Sequence, residues 1–199
     1  MKRVRTKGMV IYAVALTFFV TAAVMSAEQT QPIQTQPITE TFQAIMVSMG
    51  NVKGMSNAQI TITRWTTDAE REELAQALLE KGQEELTKKL EKQDETGFIR
   101  LPNTLGYRLR YAREFRKGNT RKIILATDRP IGFKEVRRSG RSIDYDITLI
   151  ELILDESTGK GQGSMAVAAK MKVNPESKTL EIENYGMEPV KFTSVIKSD

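Results

Sequence analysis

The chain has 199 residues, no Cys and no His, and carries 30 Lys+Arg against 25 Asp+Glu, for a formal net charge of +5. Without those two residue types it has no disulfide, no Cys/His zinc centre, no imidazole base and no Ser-His or Cys-His couple. Carboxylate, Lys, Tyr and Arg chemistry remains, or binding without chemistry, and the reading moves toward a non-enzyme with no metal and no cofactor.

Lys2, Arg3, Arg5 and Lys7 precede an uncharged apolar run from Met9 to Met25, followed by the small residues Ser26 and Ala27. This is the layout of a secretory signal peptide over residues 1–27, which places the working protein in the periplasm or outside the cell. The run falls just short of the roughly 18 to 20 residues of a membrane span, and an uncleaved anchor is the alternative. All charges ahead of residue 28 are basic. Removing them brings the net charge to about +1, so bulk basicity gives no argument for nucleic acid. Residues 29–38 read QTQPI twice in tandem. They suit an uncharged PPII-like spacer, with residues 28–41 as linker and 42–199 as one domain.

The domain opens with strand patterns over Phe42–Met49 and Ala58–Trp65, and Gly50, Gly54 and Asn57 punctuate the connection. Thr67-Asp68-Ala69-Glu70 then spells a capping box. Leu74, Leu78, Leu86 and Leu90 follow at multiples of four, and Gly82 interrupts them. The spacing predicts an amphipathic helical pair, with Gly82 ending one helix and starting the next. Beyond Gly97 strand patterns cover 98–101, 105–115, 121–127, 143–154, 164–173, 179–184 and 190–196, with turns at 117–119, 159–163 and 174–177. Short connections imply antiparallel neighbours. The expected fold is α+β: a strongly twisted antiparallel β-sheet, open to a barrel-like closure, with an inserted amphipathic helical pair.

Charge is segregated. Residues 100–141 hold 13 Lys+Arg against three acids, interleaved with Tyr107, Tyr111, Phe115 and Phe133. In 105–115, strict alternation puts Tyr107, Leu109, Tyr111 and Phe115 on one face and Arg108 and Arg110 on the other. A nucleic-acid groove needs aromatics and cations side by side. Internal pairing of the bases with the acidic flanks is the preferred reading, an anionic ligand or lipid headgroup the second, and nucleic acid is not expected. The connection Asp128–Arg141, DRPIGFKEVRRSGR, is long and Arg-rich, as functional loops often are. After it, Asp144 and Asp146 share a strand face with Thr148, Ile150, Leu152 and Leu154. That polar-to-apolar face fits a cavity mouth, and fits better a strand entering the core. The Asp144/Asp146 pair has a spacing compatible with acid–base work, without sugar-stacking Trp nearby. Ser194-Val195-Ile196-Lys197 and the GKGQG stretch at 159–163 imitate catalytic and phosphate-loop motifs but lie in strand and turn contexts.

WTTDAERE (65–72), ATDRPIGF (126–133), RSIDY (141–145) and LIEL (149–152) together resemble a group of secreted bacterial proteins of unknown function, over roughly residues 43–196. The resemblance implies export and a single domain; it brings no activity, ligand or catalytic residue. The expected function is non-catalytic: an extracytoplasmic protein binding a small apolar or amphipathic ligand in a sheet-lined cavity. The candidate residues are Arg108, Arg110, Asp128, Arg129, Phe133, Arg141, Asp144 and Asp146. The alternative is an envelope interaction protein whose basic surface meets an acidic partner, with peripheral membrane contact open to it.

Overall fold

The computed structural model describes residues 39–48, 54–129, 131, 147–167, 170–174, 179–183 and 190–198. In chain order the elements are β1 (Glu40–Ser48), β2 (Gly54–Ile62), α1 (Asp68–Lys81), α2 (Gln83–Lys92), β3 (Gly97–Arg100), β4 (Tyr107–Lys117) and β5 (Thr120–Thr127). They continue with β6 (Thr148–Asp155), β7 (Lys160–Ala166), β8 (Lys170–Asn174), β9 (Thr179–Glu183) and β10 (Val190–Ser198).

Among the described residues, eight strands close a barrel in the order β1-β10-β7-β6-β5-β4-β3-β2, and β8 and β9 form a separate two-stranded sheet. Every barrel pair is antiparallel, and the seam is β1 against β10, with Thr41 opposite Ser198 and Val47 opposite Lys191. The α+β class, the antiparallel sheet and the barrel closure therefore agree with the sequence reading.

Period-two patterning fills the interior. Phe42 and Met46 of β1, Ile60 of β2, Ile123 and Leu125 of β5, Ile150 and Leu152 of β6 and Phe192 of β10 are all at most 2% exposed. They belong to one continuous core. An eight-stranded barrel is just wide enough to be filled by side chains, and here large apolar groups occupy it. The outer wall carries Gln43, Thr193 and Lys191, which are exposed, and Lys122 and Glu151, which are half-buried. This is the reverse of a membrane-spanning barrel, whose lipid-facing wall is apolar. Among the described residues, no helix is long and apolar enough to cross a membrane.

Strand β7 is wound closely on β6. A Cβ on the inward position Gly163 would lie 2.4 Å from the Glu151 carbonyl oxygen and 3.2 Å from Phe192 Cδ2. Phe192 pairs with Gly163 across the strands, and its ring occupies the space a side chain there would need. The GKGQG stretch is accordingly not one turn: the bend is 156–159 and strand begins at Lys160.

The helical pair forms as its sequence predicts. Thr67 Oγ1 accepts from the Glu70 amide at 3.3 Å, and the Glu70 carboxylate accepts from the Thr67 amide at 2.7 Å. Gly82, at φ 80°, ends α1 and precedes α2. Leu74, Leu78, Leu86 and Leu90 all bury against the outside of the barrel, on Ala126 and Ile147, with Tyr111 and Leu149 beside them. Tyr111, Ala126 and Leu149 form one row across β4, β5 and β6. This corrects the alternation expected for 105–115. A bulge between Leu109 and Tyr111 shifts the parity, so Leu109 and Ala112 face the barrel interior while Tyr111 turns out under the helices. Phe115 is 44% exposed rather than core. The predicted strand 164–173 is likewise two strands, β7 and β8.

Candidate functional site

The barrel has two unlike ends. At one, β4–β5 and β6–β7 are joined by the short turns 118–119 and 156–159, and β2–β3 by the helical connection 63–96. At the other, β1, β3, β5 and β7 end while β2, β4, β6 and β10 begin, so the connections 49–53, 101–106, 128–147 and 167–189 all leave from it. Connections gathered on a rigid barrel rim are where binding residues concentrate.

The Arg-rich connection is fixed at its base. Thr127 and Thr148, both inward and fully buried, pair across β5 and β6. The Thr148 amide donates to Thr127 Oγ1 at 3.3 Å, Thr127 Oγ1 donates to the Arg129 carbonyl at 2.6 Å, and the Ile131 amide donates to Thr148 Oγ1 at 3.0 Å. This threonine staple folds the chain over the barrel mouth and drives Ile131, fully buried, into the core. The mouth is thus stoppered by Ile131.

Around the staple, Arg110 Nε donates to Asp128 Oδ2 at 2.7 Å, and Arg110 Nη1 donates to the Gln93 carbonyl at 2.9 Å. Gln93 is the C-cap of α2, so the guanidinium also meets the negative end of the helix dipole. Arg129 behaves differently. Its guanidinium lies 5.4 Å from the Tyr107 ring centroid, and Nη2 donates to the Gly106 carbonyl at 3.4 Å. Among the described residues no carboxylate pairs with it. Arg108 joins neither group and pairs with Glu95 at 3.5 Å. Phe133, Arg141, Asp144 and Asp146 lie outside the described residues. Of the sequence candidates, the structure brings together Arg110 and Asp128, sets Arg129 beside them on Tyr107, and leaves Arg108 apart.

Internal pairing, the preferred reading of the basic segment, is what most of its described bases do. Arg113 binds Asp68 at 2.6 Å, Arg116 reaches Glu114 and Glu156, and Lys122 binds Glu151 at 2.8 Å. The most enclosed of these bases is Arg121, at the short-turn end. Its guanidinium contacts Glu40 at 2.8 and 3.1 Å and Glu114 at 2.8 Å, and it lies over the Trp65 ring at 5.6 Å. Burial alone would raise the Glu40 pKa. The hydrogen bond and charge of Arg121, with Lys197 at 3.6 Å, outweigh it and hold Glu40 below the ordinary range. Burial likewise works to lower the Arg121 pKa, and its two carboxylates drive it up instead. Sequence reasoning missed this cluster. The signal was parity: Arg121 shares the inward face of β5 with Ile123 and Leu125.

Tyr111 is the one perturbed phenol of the described barrel wall: burial under the helices pushes its pKa up, with Arg113 and Arg71 opposing. Packed beneath the helical leucines, it is a structural contact rather than a group offered to a substrate. On the outer wall, a groove of about 520 Å³ is lined by Lys122, Glu151, Ile153, Gln162, Gly163, Ser164 and Lys191. It is shallow, and its close charge pair, Lys122 with Glu151, is internal to it. Among the described residues, no cluster of three or more acidic side chains could hold a metal ion. Comparison with protein-family models, curated proteins and solved structures finds no match.

Proposed function

We propose that the protein is an extracytoplasmic, non-catalytic binding protein that takes a small amphipathic ligand at the long-connection end of its barrel. The ligand's anionic group is recognised by Arg129. The observation carrying this reading is Arg129 itself: it sits on Tyr107 at the rim without a carboxylate among the described residues, a state shared with Arg100 on Phe98, while Arg108, Arg110, Arg113, Arg116 and Arg121 are ion-paired. A guanidinium presents several N–H donors in a planar fork that suits bidentate contact with a carboxylate or phosphate. The close-packed interior directs the ligand to the rim, where its apolar part meets Tyr107 and the connection 128–147. Phe133, Arg141, Asp144 and Asp146, the remaining candidates, belong to that connection in sequence.

The test is a native mass spectrum of the protein expressed with its own leader and purified as the cell delivers it. A stoichiometric small-molecule adduct is expected, lost on denaturation and lost from Arg129→Ala. An unliganded mass in both proteins, or an adduct unaffected by Arg129→Ala, would overturn the reading. The same spectrum reports whether residues 1–27 have been removed.

A further inference from the structure

The hairpin between β3 and β4 presents a leucine in an unusual way. Leu105 is 103% exposed, the highest value among the exposed large hydrophobic side chains described. It does not sit on a loose loop. Thr104 Oγ1 accepts from the Leu101 and Gly106 amides, each at 3.3 Å, and donates to the Leu101 carbonyl at 3.0 Å. Asn103 takes the left-handed conformation, φ 61°, that turns the chain. A hydrogen-bonded turn therefore holds an apolar side chain out into solvent.

Arginines stand on both legs of the same hairpin. On one leg Arg100 lies over the Phe98 ring at 5.2 Å, without a carboxylate partner among the described residues. On the other leg Arg108 stands opposite Phe98 and is 63% exposed, sharing its charge with Glu95 at 3.5 Å. Arg129 reaches the same turn through the Gly106 carbonyl. The hairpin that carries the projecting leucine thus bears Arg100 and Arg108 on its legs and is reached by Arg129, with Glu95 paired to Arg108.

We propose that this hairpin is a peripheral membrane-docking edge: Leu105 inserts among acyl chains, and Arg100, Arg108 and Arg129 meet anionic lipid headgroups. The chemistry favours a bilayer over a protein partner. A protein interface needs a contiguous apolar centre, whereas the other exposed apolar side chains lie on other elements, Met55 on the neighbouring β2 and Leu79, Phe115, Ile153 and Ile196 elsewhere. A bilayer needs only one apolar anchor with cations at headgroup level, and arginines resting on aromatic rings suit that interface. The proposal does not depend on a ligand at the rim.

The test is vesicle co-flotation of the full chain as processed by the cell, with vesicles of phosphatidylcholine alone or mixed with phosphatidylglycerol. Binding to the mixed vesicles and not to neutral ones is expected, falling as salt is raised. Leu105→Glu, at a fully exposed position where folding is unaffected, should reduce binding at least about tenfold. Arg100→Ala and Arg108→Ala should each reduce it by about fivefold, and Leu105→Phe should keep it. No flotation with anionic vesicles at low salt overturns the proposal. So does equal flotation of Leu105→Glu and the parent, or equal binding to neutral vesicles. Loss of the rim ligand in Arg129→Ala with vesicle binding independent of Leu105 would leave the ligand reading standing and sink this one.

Discussion

Replacing Arg121 by methionine probes the enclosed ionic cluster at the short-turn end. The new side chain keeps the apolar stem in the barrel wall but removes the guanidinium between Glu40 and Glu114. Those carboxylates, whose side chains are 14% and 28% exposed, are then left facing each other. Removing one member of a buried ion pair costs about 3–5 kcal/mol. Partial exposure of Glu114 and the nearby Lys197 soften the loss, so about 2–3 kcal/mol is expected at neutral pH. For a domain of this size each kcal/mol is worth about 2–4 °C, giving a fall in Tm of roughly 5–10 °C. Urea unfolding followed by fluorescence is the assay, because Trp65 is the sole Trp and lies under Arg121 itself. Acid supplies the second arm. The Glu40 pKa is depressed in the folded state, so its stabilisation is present above the unfolded-state carboxyl pKa and is lost as pH falls through the lower folded value. The Arg121→Met substitution removes the cause of that depression, and the two stability curves should converge in acid. A difference below about 1 kcal/mol at neutral pH, or a gap that persists in acid, would refute the reasoning.

Gly163→Ala should destabilise by at least about 2 kcal/mol, since its Cβ would meet the Glu151 carbonyl. Gly54→Ala, where nothing lies within 4 Å, should stay within about 0.5 kcal/mol in the same urea series. Thr67→Ala should lose about 1 kcal/mol with the capping box while Thr67→Ser retains it, as read from helical circular dichroism on heating. Arg110→Ala and Asp128→Ala should each destabilise, and the double variant should lose less than their sum by at least about 1 kcal/mol, because each single change strands the other's charge.

Legibility in the sequence follows the range of the interaction. The helical pair is written locally: Thr67 and Glu70 fix its start, Gly82 its break, and the leucines its buried face. Strand positions come from period-two alternation, which fails where one residue disturbs it. The bulge before Tyr111 is invisible to alternation, so strict parity puts Tyr111 and Phe115 on one face with Leu109, whereas Tyr111 packs on the opposite side under the helices and Phe115 is exposed. Gly161 and Gly163 read as turn glycines because their composition does not reveal a close strand approach. In the candidate site, the pairing of Arg110 with Asp128 needs strand register, and the arrangement of Arg129 on Tyr107 needs the threonine staple. Neither is a property of neighbouring residues. Arg121 carries the opposite lesson: its inward parity is legible, and the expectation that a charged side chain faces solvent conceals it.

The seam between β1 and β10 has a consequence in time. The first strand of the barrel finds its partner only when the last one exists, since Thr41 waits for Ser198. Until then β1 has β2 on one side and an open edge on the other, and β7 is equally unfinished. Such a fold cannot be completed from its N-terminal end as the chain emerges, and long-range closure of this kind is slow. Under the export proposed above that delay is useful, because a polypeptide that cannot close its barrel early remains threadable until its final segment has crossed.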